Sequence, residues 1–315
     1  APLSQWPELD PEDPQSLVAV LSSDNLLARL HAQRLLIERG NLDVTPQLAR
    51  LIRNRSTDEI GLNPGAIHAL WTLQGLGALD GSRQRALRLA ASALRHPSAS
   101  VRRAAIMTAP KNASTAEALL KNQLLQDEDA QVRLATLLAL ADCPPTDAAG
   151  AAVWEAIGQE ANHGDRWIAD GATAAAANND AAFIQSLLQA AKTASDDSDT
   201  AALDLSGSLG AVTRLVTTHY AQRVPSESIV STLTALAGVA PEVATSILDG
   251  LLEGWPDDAE LTLNAADQTA LESVMEALPE SVRDRLLGLA TRWAVPGLFE
   301  GRLAAIVATL RGQFT

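Results

Sequence analysis

Two histidines at matching positions, one short acid–base cluster and two acidic runs are the places where this sequence could carry chemistry. His31 and His68 fall at the same offset in consecutive repeats, so their rings could meet across neighbouring helices as a metal pair or a pH-sensitive contact. Two ligands without a third make a poor metal site, and the plainer expectation is a pair of hydrogen-bonded core histidines. His163, Asp165, Arg166 and Trp167 gather acid–base, charged and aromatic groups at a turn between helices. We read these four as a candidate interaction edge, because Trp is favoured at binding hot spots. Asp165 is equally suited to cap a helix and Trp167 to plug a gap between turns.

The runs Asp196-Asp197-Ser198-Asp199 and Asp257-Asp258-Ala259-Glu260 are rich enough in carboxylates to attract calcium. Neither has the spacing of a dedicated calcium loop, so solvated turns are expected. Asn54-Arg55-Ser56 and Asn112-Ala113-Ser114 match the glycosylation sequon, a short pattern that is often unused. The chain contains no His-Glu-x-x-His, no Gly-x-Ser-x-Gly and no phosphate loop. Its single cysteine, Cys143, excludes an internal disulfide, a four-cysteine zinc site and paired-cysteine haem attachment. No catalytic residue, metal or cofactor is expected.

The elements that would position these groups are helices. Ala and Leu dominate, aromatics are 3% of 315 residues, and strand formers never alternate over a run. Five segments align without gaps: Ala28-Arg29-Leu30-His31-Ala32, Gly65-Ala66-Ile67-His68-Ala69, Val101-Arg102-Arg103-Ala104-Ala105, Val132-Arg133-Leu134-Ala135-Thr136 and Ile168-Ala169-Asp170-Gly171-Ala172. Their spacings of 37, 36, 31 and 36 residues suit a helix-turn-helix unit. Each is the second helix of a hairpin, preceded by an amphipathic first helix such as the one holding Ala116, Leu119, Leu120 and Leu124. Turn and cap residues lie within hairpins (Ser23-Asp24-Asn25, Asp127-Glu128-Asp129), and breaks lie between them (Gly40-Asn41, Pro144-Pro145, Asn178-Asn179).

The expected architecture is an all-α, right-handed α-α superhelix of about eight hairpins, a solenoid forming one domain over 1–315. Repeats are regular over 14–180. Over 181–315 they are less regular, with hairpins at about 180–222, 226–253 and 264–293 and a closing helix from about 296. Trp71 is expected in the core by its helical spacing from Ile67.

Charge divides sharply along the chain. Residues 1–140 hold 15 basic and 14 acidic side chains, and 141–315 hold 9 and 24, within a net charge of −14. An acidic second half repels phosphate backbones, which disfavours nucleic acid and favours a basic partner. No apolar stretch approaches the 18 to 20 residues, roughly, of a membrane span, and no signal-peptide pattern opens the chain. The absence of an initial Met and the helix-like Leu303–Leu310 at the end suggest a processed product or a piece of a longer protein.

Val101-Arg102-Arg103-Ala104-Ala105 after Pro97, and Val132-Arg133-Leu134-Ala135 after Asp129, resemble the HEAT-repeat signature of a turn residue followed by a Val-Arg pair. Three longer segments narrow the resemblance: His31 to Gly40, Ile67 to Leu79, and Asp165 to Asp170. They are similar to the HEAT region of the PVC-type membrane-bound dehydrogenases, in which that region lies between a sugar-dehydrogenase-like β-propeller and a cytochrome c module. The likeness covers most of 14–190 and returns near Leu286 to Trp293. This chain has neither a propeller nor a Cys-x-x-Cys-His, so the resemblance implies no oxidoreductase chemistry here. It implies a periplasmic or exported setting and a spacer or docking role, with the propeller or the cytochrome module as partner. Two other functions fit the sequence less well: a carbohydrate or small-molecule receptor using Trp167, Trp255 or Trp293, and a HEAT-like enzyme acting on nucleic acid, which would need a basic groove.

Overall fold

Asn or Asp stands just before four of the eight second helices, and its side chain does what a free helix end requires. Asn25 accepts from the N–H groups of Leu27 and Ala28, Asn63 from Ala66, Asp129 from Gln131 and Val132, and Asp165 from Trp167 and Ile168. Each such cap stabilises its helix by about 1 kcal/mol, and together they set where the second helices start. At the other end of the first of these helices, Gly40 takes a left-handed backbone with φ 67°, which a side chain would resist.

The computed structural model describes residues 6–196 and 207–293, together with 203, 205, 295 and 297–299. Among the described residues there are sixteen α-helices and no strand. They pair as hairpins: α1 (Pro14–Val20) with α2 (Leu26–Arg39), α3 (Thr45–Arg53) with α4 (Pro64–Gly75), α5 (Gln84–Ser92) with α6 (Ala99–Thr108), and α7 (Ala113–Lys121) with α8 (Ala130–Asp142). The series continues with α9 (Asp147–Ile157) and α10 (Arg166–Asn178), α11 (Asp180–Asp196) and α12 (Ser208–Gln222), α13 (Ile229–Thr234) and α14 (Pro241–Gly254), and α15 (Ala265–Ala277) and α16 (Glu280–Trp293). The chain is thus an all-α helical-repeat protein, and all five aligned segments lie in second helices. The closing helix expected from about 296 falls mainly outside the described residues.

Contacts gather the chain into two compact units, 1–145 and 146–315, with the boundary at Pro144-Pro145. In the first, α2 packs on α4, α4 on α6 and α6 on α8, while the first helices touch one another far less. The second helices can close up because small residues face the stack: Ala28, Ala32, Ala66, Ala69, Ala104 and Ala105 are all buried. In the second unit α10, α12, α14 and α16 stack in the same order, and α9 also lies close against α11. Gly250 and Gly254 make the α12–α14 approach possible: a Cβ at Gly250 would stand 2.7 Å from the Cβ of Thr217, and one at Gly254 would collide with the Thr218 carbonyl.

One arginine position fastens the hairpins. Arg29 donates to the Ser23 carbonyl, Arg102 to those of His96 and Pro97 at 2.9 and 3.0 Å, and Arg133 to those of Asp127 and Glu128 at 2.7 and 3.2 Å. In each case a guanidinium one turn into the second helix reaches back to carbonyls five or six residues earlier, in the turn that precedes its own helix. Arg283 repeats the contact in the last hairpin, donating to Leu278 at 2.7 Å and Glu276 at 2.8 Å. Where this position holds Ala66 or Ala169, an asparagine takes over: Asn63 Nδ2 donates to Asn54 and Ser56, and Asn162 Nδ2 to Ala156. A planar fork with five donors suits this work because the carbonyls of a sharp turn point to one side with no helical partner.

Candidate interaction site

The four residues singled out at the turn before α10 divide between two tasks. Asp165 is the N-cap of α10, so its carboxylate is occupied by backbone. His163 and Arg166 are exposed, and Trp167 is 65% exposed on the first turn of the helix. The Arg166 guanidinium lies 5.4 Å from the Trp167 ring centre and 3.5 Å from Asp170, which holds the indole beneath a cation at the surface. Trp167 therefore plugs no gap. It presents an aromatic face with a charged rim.

The same kind of exposure recurs on second helices in each unit. Among the described residues, the large apolar side chains that are exposed on helices all belong to second helices: Leu26, Leu27 and Leu30 on α2, Met107 on α6, Leu138 on α8, Trp167 on α10 and Leu215 on α12. First helices carry none. Trp71, at the position equivalent to Met107 and Leu138, is half-buried rather than sealed in the core. The sequence carried a signal for this stripe, since Leu30, Ile67 and Leu134 recur at one offset and Trp71, Met107 and Leu138 at another. An apolar residue on a helix reads as core until the packing direction is known.

His31 and His68 do not meet. His68 is buried: its Nδ1 donates to Gln33 Oε1 at 2.6 Å, and its Nε2 accepts from Arg29 Nε at 3.2 Å. His31 is exposed and accepts from Arg34 at 3.0 Å. Units that stack by translation present equivalent residues in the same direction, so His68 faces α2 while His31 faces away from α4. Equal offsets thus place two side chains on parallel faces, not opposite each other. No group of three metal-ligating side chains occurs among the described residues.

Burial, with Arg29 beside it, pushes the His68 pKa down from 6.5 to about 4. A histidine whose folded-state value lies below its unfolded one adds stability above pH 6.5 and surrenders it as pH falls toward 4. Urea midpoints of the wild type and His68→Gln should therefore diverge over that window. The wild type is expected to lose up to about 2 kcal/mol more, allowing for partial screening by solvent. Parallel curves would remove His68 from the acid response.

The remaining candidates have structural occupations. Asn54 accepts from the Ser56 N–H, and Asn112 caps α7 by accepting from Thr115. The 257–260 run is an exposed turn closed by the indole N–H of Trp255, which donates to Ala259 O at 3.0 Å, and Asp257 lies 3.4 Å from Arg292. Of the other acidic run, residues 197–199 lie outside the described residues. Cys143 is buried, and burial raises its thiol pKa above the ordinary value, which keeps it protonated. Trp255 and Trp293 are buried against each other, ring centres 5.3 Å apart, so neither is open to a sugar. Among the described residues no helix is long and apolar enough to cross a membrane.

No protein-family model and no curated protein matches the chain.

Proposed function

We propose that this chain is a non-catalytic scaffold that binds protein through its second helices, as one segment of an exported multidomain redox protein. The observation that carries the reading is that, among the described residues, every large apolar side chain exposed on a helix lies on a second helix, from Leu26 to Leu215. Side chains that could have done chemistry elsewhere are engaged in holding helix ends and turns: Asp165 and Asp129 as caps, Arg102 and Arg133 at carbonyls. Exposed Trp, Met and Leu with Arg at the edge is the composition of a recognition surface. The redox setting and the periplasmic or exported location rest on the resemblance alone, with a propeller or cytochrome c module as the partner it suggests. Neither nucleic acid nor a membrane is assigned as a partner.

The acidic second half adds a long-range component that favours a basic partner face. Pull-downs with propeller and cytochrome c modules of the dehydrogenase type should recover a complex at low ionic strength that weakens as salt rises. Trp167→Ala is expected to weaken it by about tenfold, the loss common for a central aromatic. Failure to recover either module at low salt would sink the proposal.

A further inference from the structure

Between α6 and α8, on the outward face of the second helices, lies an open groove of about 280 Å³. Its base is formed by Ala135 and Ala139, both buried. Its apolar walls are Met107, 46% exposed, and Leu138, 48% exposed. Small residues below and long flexible ones at the sides leave a trough that an apolar side chain can enter, and Met adapts its shape to what enters.

The charge at the rim selects among occupants. Arg103 lies four residues before Met107 and Lys111 four residues after it, so two cations bracket the apolar wall along the α6 side. Both are exposed, and among the described residues neither forms an ion pair. Arg102, the immediate neighbour of Arg103, is by contrast locked to Asp127. One carboxylate, Asp142, stands at the α8 end of the groove, leaving two cations against one anion.

We infer that this groove binds an acidic amphipathic segment of a partner protein, with an apolar side chain seated between Met107 and Leu138 and carboxylates on either side of it meeting Arg103 and Lys111. Opposite charge brings the segment in and sets its position along α6, while burial of the apolar side chain supplies most of the affinity. The inference rests on the scaffold reading but names a surface separate from Trp167 and a partner charge opposite to that sought by the acidic half.

The probe is a fluorescein-labelled helical peptide with Leu at i, i+3, i+4 and i+7 and Glu on its flanks. A twin with Lys for Glu and another with Ser for Leu serve as controls. Fluorescence anisotropy with the full chain should detect binding of the Glu peptide at low salt, and little or none of either twin. The double variant Arg103→Glu/Lys111→Glu, and separately Leu138→Ser, should each weaken binding by about tenfold or more. These side chains are exposed, so an unchanged circular dichroism spectrum and melting temperature will confirm that the variants fold. Equal binding of the Lys peptide, or unaltered affinity in either variant, would overturn the inference. So would self-association of the chain that the double variant abolishes, because the occupant would then be a second copy. If the propeller or cytochrome module binds and the Glu peptide does not, this inference fails while the scaffold reading stands; the reverse outcome leaves the groove and removes those modules.

Discussion

Replacing Arg102 by methionine is expected to destabilise the chain by about 3–5 kcal/mol, the cost of leaving one member of a buried ion pair without its partner. Arg102 Nε and Nη2 donate to the two oxygens of Asp127 at 2.7 and 2.6 Å, and Nη1 holds the carbonyls of His96 and Pro97. Both side chains are nearly sealed from water, 10% and 7% exposed. Methionine fills much of the same volume but strands a carboxylate and two carbonyls. Asp127 is itself in the turn before α8, so the substitution loosens the α6–α8 junction as well as the turn before α6. A pair open to water is the natural comparison: Arg214 and Glu253, at 2.8 Å but more than half exposed, should contribute less than about 1 kcal/mol. Urea unfolding of Arg102→Met and Arg214→Met will separate the two cases, and a loss below about 1 kcal/mol for the first would show that water reaches Asp127.

Trp255→Ala is the second large expected effect, also about 3–5 kcal/mol. The ring is buried against Trp293, and its N–H closes the 255–259 turn. Truncation leaves a cavity at the end of α14 and releases the turn together. Arg292 then loses its setting, because it reaches from α16 to the carbonyls of Leu252 and Trp255. Trp167→Ala, an exposed position, should leave stability within about 0.5 kcal/mol. Since the same Trp167 substitution is expected to cost tenfold in partner binding, the two tryptophans separate folding from recognition. A Trp255→Ala protein that unfolds at the wild-type urea concentration would contradict the packing described for the second unit.

The starts of these second helices were legible in the sequence because they are local. Asn25, Asp129 and Asp165 announce a helix by chemistry that acts within three residues, and Gly40 ends one by its own backbone. The direction in which each helix faces its neighbour was not local, and it decided the candidate site. His31 and His68 share an offset, yet the stacking direction leaves one exposed and the other buried. Leu30, Met107 and Leu138 look like core residues in a list of offsets, while the layer places them outward. Arg102 and Arg133 stood out as part of a Val-Arg signature. Their work at carbonyls depends on the turn folding back beside the helix, a distance the linear spacing does not express. Val282-Arg283 carries the same pair in the last hairpin, and only its hydrogen bonds made the match visible.

The arginines that reach back into their own turns bear on how such a chain grows. Arg29, Arg133 and Arg283 each fasten a turn belonging to the same hairpin, so a duplication that copies the hairpin copies its fastener with it. The new unit arrives already closed and needs only a small-residue face to sit against its neighbour. Arg102 breaks that independence most strongly, because it holds Asp127 of the next hairpin in a buried ion pair where Arg29 only donates to His68, and a cut between Arg102 and Asp127 would leave a charge exposed on each side. Gains and losses of repeats should therefore avoid the junction between α6 and α8, where a buried ion pair would be severed.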